Sequence, residues 1–118
     1  MSDVAAMKDH IATYIQKLSD ALAKGPSPKI AALGAALRSA WNDGHAVYLC
    51  GNGGSAGNAI HLANDFLFGA GRTAGIGLRV EALSANPAVL TCLANDIGYD
   101  SIFSEQLRVK ANKGDVLI

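Results

Sequence analysis

One stretch constrains this chain more than any other: Ala46-Val47-Tyr48-Leu49-Cys50-Gly51-Asn52-Gly53-Gly54-Ser55-Ala56-Gly57-Asn58-Ala59-Ile60-His61. It opens with a short apolar run, continues through glycines and ends in a helical pattern. A short apolar run bounded by turn residues suits a strand covered on both faces, as in a parallel sheet. Gly51, Gly53 and Gly54 permit backbone angles and close approaches that a Cβ blocks. Ser55 stands where a helix N-cap is expected, and uncapped N–H groups with the helix dipole favour an anion there. The stretch therefore reads as a phosphate cradle at the carboxyl end of a strand. The plain alternative is a tight strand-to-helix turn with no ligand. The glycines do not fall as the dinucleotide fingerprint, and no Gly-Lys-Ser/Thr closes a nucleotide-triphosphate loop.

The remaining pattern predicts alternating helices and strands. Val4, Met7, Ile11, Tyr14, Ile15, Leu18 and Leu22 form the stripe of a helix over 3–24, capped by Ser2 or Asp3 and stopped by Gly25-Pro26. His10 lies off that stripe and reads as a solvated residue. Ser27-Pro28 starts a second helix, with Ile30, Leu33, Leu37 and Trp41 on its stripe and Gly44 at its end. A third helix is expected over 55–68, with Ala59, Leu62, Ala63, Phe66 and Leu67 facing inward, then a flexible connection over 69–75. A strand over 78–84 follows, then a helix capped by Asn86 with Pro87 first in it. Asn95-Asp96-x-Gly98-Tyr99 breaks that helix, and Asp100 is expected to cap the next, which Gly114 ends. Asp115-Val116-Leu117-Ile118 reads as the opening of a third strand. Strands alternating with helices imply a parallel sheet with right-handed crossovers.

A length of 118 residues suits one domain, subdivided here into helices over 1–44 and strand-loop-helix units over 45–118. The formal charge is zero, which argues against a nucleic-acid groove built on bulk charge. Cys50 and Cys92 have no disulfide or metal spacing and read as small buried hydrophobes. No leader pattern or long apolar run is seen, so a cytoplasmic location is the expectation.

The string Gly51-Asn52-Gly53-Gly54-Ser55, followed by Ala59-x-His61, resembles the sugar isomerase (SIS) domain, and within it the phosphoheptose isomerase group. The likeness continues through Ala82-Leu83-Ser84, through Leu93-Ala94-Asn95-Asp96-x-Gly98-Tyr99-Asp100-x-Ile102-Phe103, and into Lys113-Gly114-Asp115-Val116-Leu117. It implies a three-layer α/β/α, Rossmann-like SIS fold, of which this chain resembles the N-terminal half. A chain that stops inside an apparently buried strand fits that reading.

The resemblance also implies a chemistry, the conversion of sedoheptulose 7-phosphate to D-glycero-D-manno-heptose 7-phosphate through an enediol, supplying heptose for cell-envelope sugars. It assigns substrate binding to Asn52, Gly53, Gly54 and Ser55, and places Asn95 and Asp96 near the same end of the sheet. The plain reading of Asn95 and Asp96 is helix-end chemistry, which Asn and Asp favour. His61 matches the histidine of the group's His-x-x-x-Glu pair, which binds zinc and whose glutamate is a candidate base. Here the second position is Asp65. Residues four apart on a helix share a face, so His61 and Asp65 project together, and the resemblance makes them the candidate catalytic and zinc-binding pair. Asp is one methylene shorter than Glu, and displacements of about 1 Å lower catalytic rates sharply. The plain alternative is a hydrogen-bonded pair on a solvated face. Arg72 is the candidate cation near the site, while Arg79, Arg108 and Lys110 read as solvated. Implied partners are a sugar phosphate and further copies of the chain, as a homodimer or homotetramer packed through the N-terminal helix. The rival class is a non-catalytic SIS module that binds a phosphosugar or a protein such as a replication initiator. Asp65 favours the rival and His61 the enzyme.

Overall fold

Three parallel strands order as β2-β1-β3, with β1 (Ala46–Leu49) between β2 (Arg79–Ala82) and β3 (Val116–Leu117). This computed structural model describes residues 3–118. All four β1 residues are buried, as the unbroken apolar run requires of a central strand with both faces covered. The register pairs Val47 with Val80 and Val116, and Leu49 with Ala82. These side chains share one face of the pleat. Over it pack Leu37, Ala40 and Trp41 of α2 (Ser27–Asp43), Ala59 and Ala63 of α3 (Gly54–Asn64), and Phe66. Ala46, Tyr48 and Leu83 point to the other face and pack with Cys50, Phe103 and Leu107, the last from α6 (Ser104–Lys110). Helices on both faces of a parallel sheet make the three layers expected. Val47 and Leu83 are 0% exposed, and burying such a side chain contributes roughly 1.5–3 kcal/mol.

The chain divides into two compact units, Met1–Leu33 and Gly34–Ile118. In the first, α1 (Asp3–Ala23) has no buried residue. Its apolar stripe is solvent-exposed, Met7 and Tyr14 each to 64%. Asp3 lies in its first turn, and the alternative cap at Ser2 lies outside the described residues.

Several local expectations are corrected. The connection over 69–75 is not flexible coil. A π-helical turn (Asp65–Gly69) leads into α4 (Gly71–Ala74). The chain crosses itself there, because a Cβ on Gly77 would lie 1.6 Å from the Leu67 carbonyl oxygen. Leu62 of α3 and Leu67 of the π turn remain exposed, against the expectation that both face inward. Asp100 caps nothing. It lies inside a 3-10 turn (Tyr99–Ser101) that begins behind Gly98 at φ 129°, and α6 starts only at Ser104. Gly114 does not end α6, which stops at Lys110; it turns the chain into β3. Cys50 is half-buried and Cys92 exposed, against the expectation of two buried thiols. By contrast, α5 (Pro87–Asp96) begins as expected, with the Asn86 side chain accepting from the Ala88 and Val89 N–H groups.

Candidate functional site

The glycine-rich loop follows the carboxyl end of the central strand, where open α/β sheets place their ligands. Gly51 packs so tightly that a Cβ would sit 2.7 Å from the carbonyl carbon of Ser55. Gly53 adopts φ 54°, ψ −122° and is itself the N-cap of α3. This corrects the assignment of Ser55, which lies within the first turn and is exposed. The positive φ at Gly53 starts the helix before Ser55 reaches the cap position. No side chain caps α3. The Asn52 carbonyl accepts from the Ser55 and Ala56 N–H groups at 3.0 and 3.4 Å, which closes the turn and leaves the Gly53 and Gly54 amides ahead of it. Nothing lies within 4 Å of where a Cβ on Gly54 would stand. That face is open to an anion approaching the uncapped helix start.

Two side chains tether the loop. The buried Ser84 hydroxyl donates to the Gly51 carbonyl at 2.8 Å, and the Tyr99 hydroxyl donates to Asn52 Oδ1 at 2.9 Å. Ser84 is itself set by β2, whose ladder continues through the Leu83 N–H to the Leu49 carbonyl at 2.8 Å. The buried Gln106 amide supports the same segment, donating to the Leu83 carbonyl at 3.1 Å and the Ile102 carbonyl at 2.8 Å.

Of the residues read as ligand contacts, Asn52, Gly53, Gly54 and Ser55 stand together. Asn95 and Asp96 are exposed and engaged within α5. The Asn95 amide donates to Asp96 Oδ1 at 2.7 Å, and the Cys92 thiol donates to Asp96 Oδ2 at 3.5 Å. That bond and the carboxylate charge push the Cys92 thiol pKa up, away from thiolate reactivity. The segment's hydrogen bond to the loop comes instead from Tyr99, a role that residue type alone did not reveal. Its signal was position, directly after the Asn-Asp-x-Gly break.

His61 and Asp65 share a face as their spacing requires, with Nε2 and Oδ2 3.4 Å apart and both side chains largely exposed. They lie at the far end of α3 from the loop. Ten residues separate Ser55 from Asp65, about 15 Å of helix axis. A zinc site takes about four ligands, and this pair offers two. Among the described residues no group of three or more His, Cys, Asp or Glu stands together. Arg72 does not serve the loop; its guanidinium lies 6.0 Å from the Phe68 ring centroid. Arg79 donates to the Gly44 carbonyl, Arg108 pairs with Glu105, and Lys110 pairs with Glu81. No helix among the described residues is long and apolar enough to cross a membrane.

A family model described as the SIS domain matches residues 10–118. The phosphoheptose isomerase of Geotalea daltonii is 38% identical over 103 residues, which are 87% of this chain and 53% of that protein. That of Aliarcobacter butzleri is 35% identical over all 118 residues, 58% of its own length. Among solved structures, a phosphoheptose isomerase from Francisella tularensis superposes on 99% of this chain with a TM-score of 0.83 at 28% identity. One from Neisseria gonorrhoeae gives 0.80 over 98% at 29% identity. The chain spans between 53% and 60% of the length of these four proteins. With the SIS model matched over nearly its whole length and the three-layer fold shared, the chain belongs to the SIS domain family.

Proposed function

We propose that this chain carries the sugar-phosphate loop and the proton-transfer pair of a phosphoheptose isomerase. The substrate would be sedoheptulose 7-phosphate and the product D-glycero-D-manno-heptose 7-phosphate. The observation that carries this reading is the loop: an uncapped helix start behind Gly53, open over Gly54 and tethered at Gly51 and Asn52. Names of relatives at 35% and 38% identity support the same substrate class.

Phosphate oxygens accept from the backbone donors of Gly53 and Gly54, with the Asn52 amide and Ser55 hydroxyl as further donors. A carboxylate then takes the proton from C1, and O2 is protonated as the C1–C2 enediol forms. Return of a proton to C2, with loss of the O1 hydrogen, completes the aldose. Asp65 is the base in this scheme. His61, whose Nε2 lies 3.4 Å from Asp65 Oδ2, orients that carboxylate. A zinc ion would find two donors in His61 and Asp65 and need the rest from groups outside the pair.

The loop and the His61/Asp65 pair stand about 15 Å apart along the helix axis, and in this reading the active form is a homo-oligomer in which a neighbouring copy helps close the site. The exposed apolar stripe of α1 (Met7, Ile11, Ile15, Leu18) supports association through that helix. The rival reading, a non-catalytic SIS module, draws on Asp65 standing where the group's glutamate is expected. One experiment separates them: sedoheptulose 7-phosphate is added to the purified protein, and both binding and aldose formation are followed. Turnover supports the isomerase. Binding without turnover supports the module, and absence of both removes the sugar-phosphate reading.

A further inference from the structure

We propose that Tyr99 is a positioning residue for the sugar-phosphate loop, acting through the Asn52 side chain; this rests on the reading of the loop given above. Tyr99 and Asn52 are 47 residues apart in sequence, yet the phenol donates to Asn52 Oδ1 at 2.9 Å. An asparagine amide has one acceptor and one donor end. With Oδ1 occupied by the phenol, the Nδ2 hydrogens are the end left for a ligand. A phosphate oxygen or a sugar oxygen is an acceptor, so this orientation matches it. The reversed amide would offer a carbonyl to an anion and repel it.

Tyr99 is well placed to impose that orientation. It opens the 3-10 turn behind Gly98, and the turn is closed by the Ser101 N–H to the Gly98 carbonyl at 3.1 Å. Ile102, next in the chain, is buried to 4% exposure and anchors the turn to the core. The Tyr99 ring itself is 60% exposed, so core packing does not account for it. Ser84 holds the loop from the buried side at Gly51 and Tyr99 holds it from the solvent side at Asn52.

The test is binding of sedoheptulose 7-phosphate and of inorganic phosphate to the 118-residue chain and to its Tyr99→Phe, Asn52→Ala and doubly substituted variants, by titration calorimetry. Thermal unfolding is recorded on each. Tyr99→Phe keeps the ring and removes one hydrogen bond, so affinity is expected to fall about fivefold, the equivalent of one hydrogen bond, while the protein stays folded with only a small drop in its unfolding midpoint. Adding Tyr99→Phe to Asn52→Ala is expected to cost nothing further, because Tyr99 acts through Asn52. Wild-type affinity in Tyr99→Phe, or additive losses in the double variant, would overturn the role of Tyr99 while leaving the loop reading intact. Failure of the wild-type chain to bind either anion would instead overturn the loop reading, and the role of Tyr99 with it.

Discussion

The two ends of α3 carry the two halves of the proposed chemistry and are built in opposite ways. At its N-terminal end the loop is held by groups from distant segments: Ser84 after β2, Tyr99 after α5, and the crowded Gly51 against Ser55. At the other end, His61 and Asp65 hold only each other, at 3.4 Å, with the His61 side chain 76% exposed. The first is organised by one chain. The second is an exposed pair on the helix surface. Even a fully charged exposed pair contributes only about 0–1 kcal/mol, so the far end is free to change with little consequence for folding, whereas the loop is not.

That contrast can be broken by substitution. The largest effect is expected from Asp65→Ala: isomerase turnover should drop about 100-fold or more, as removal of a general base does, while the unfolding midpoint stays put. Retained turnover would remove Asp65 as the base, and a lowered midpoint would show that the far end is structural after all. Gly51→Ala should do the reverse in kind. Its Cβ would meet backbone atoms of Ser55 at 2.7–2.8 Å, and such overpacking costs about 1–3 kcal/mol. Denaturant titration should register it, and binding should be lost even where the protein remains folded.

Ser84→Ala is expected to cost somewhat less, about 1–2 kcal/mol, by leaving the Gly51 carbonyl without its buried donor. Sugar-phosphate affinity should fall with it; a stability loss with unchanged affinity would separate the tether from the binding function. The smallest effect belongs to the opposite end of β1. Asp115 accepts from the Asn112 and Ala46 N–H groups at 2.7 and 2.8 Å, and these bonds hold its carboxyl below the usual carboxylate range. A folded pKa below the unfolded value of about 3.9 stabilises the fold above that pH and is lost as pH falls through the folded value. Unfolding followed below about pH 4 should therefore show a slope that Asp115→Asn flattens, with the loop's affinity near neutral pH unaffected.

Much of this architecture was legible in the chain. The apolar run 46–49 declared a central strand, and Asn86-Pro87 declared a helix start; both follow from local rules. The spacing of His61 and Asp65 sufficed to put them on one face. Ser55 and Asp100 were misplaced as caps because glycines just before them, Gly53 and Gly98, take positive φ and start the turn early. The connection over 69–75 reads as flexible from its glycines. Gly71 lies instead against Gly77, at a crossing of the chain, and only the fold shows which backbone passes where.

By itself, the sequence determined the strand-loop-helix order, the family and the residues of the loop, because periodicity, turn chemistry and short motifs act over a few neighbours. Tertiary structure alone decided that Tyr99 reaches Asn52 and that Ser84 grips Gly51. Those outcomes depend on which segments the sheet brings side by side, and a contact across 47 residues leaves no periodic trace in the chain.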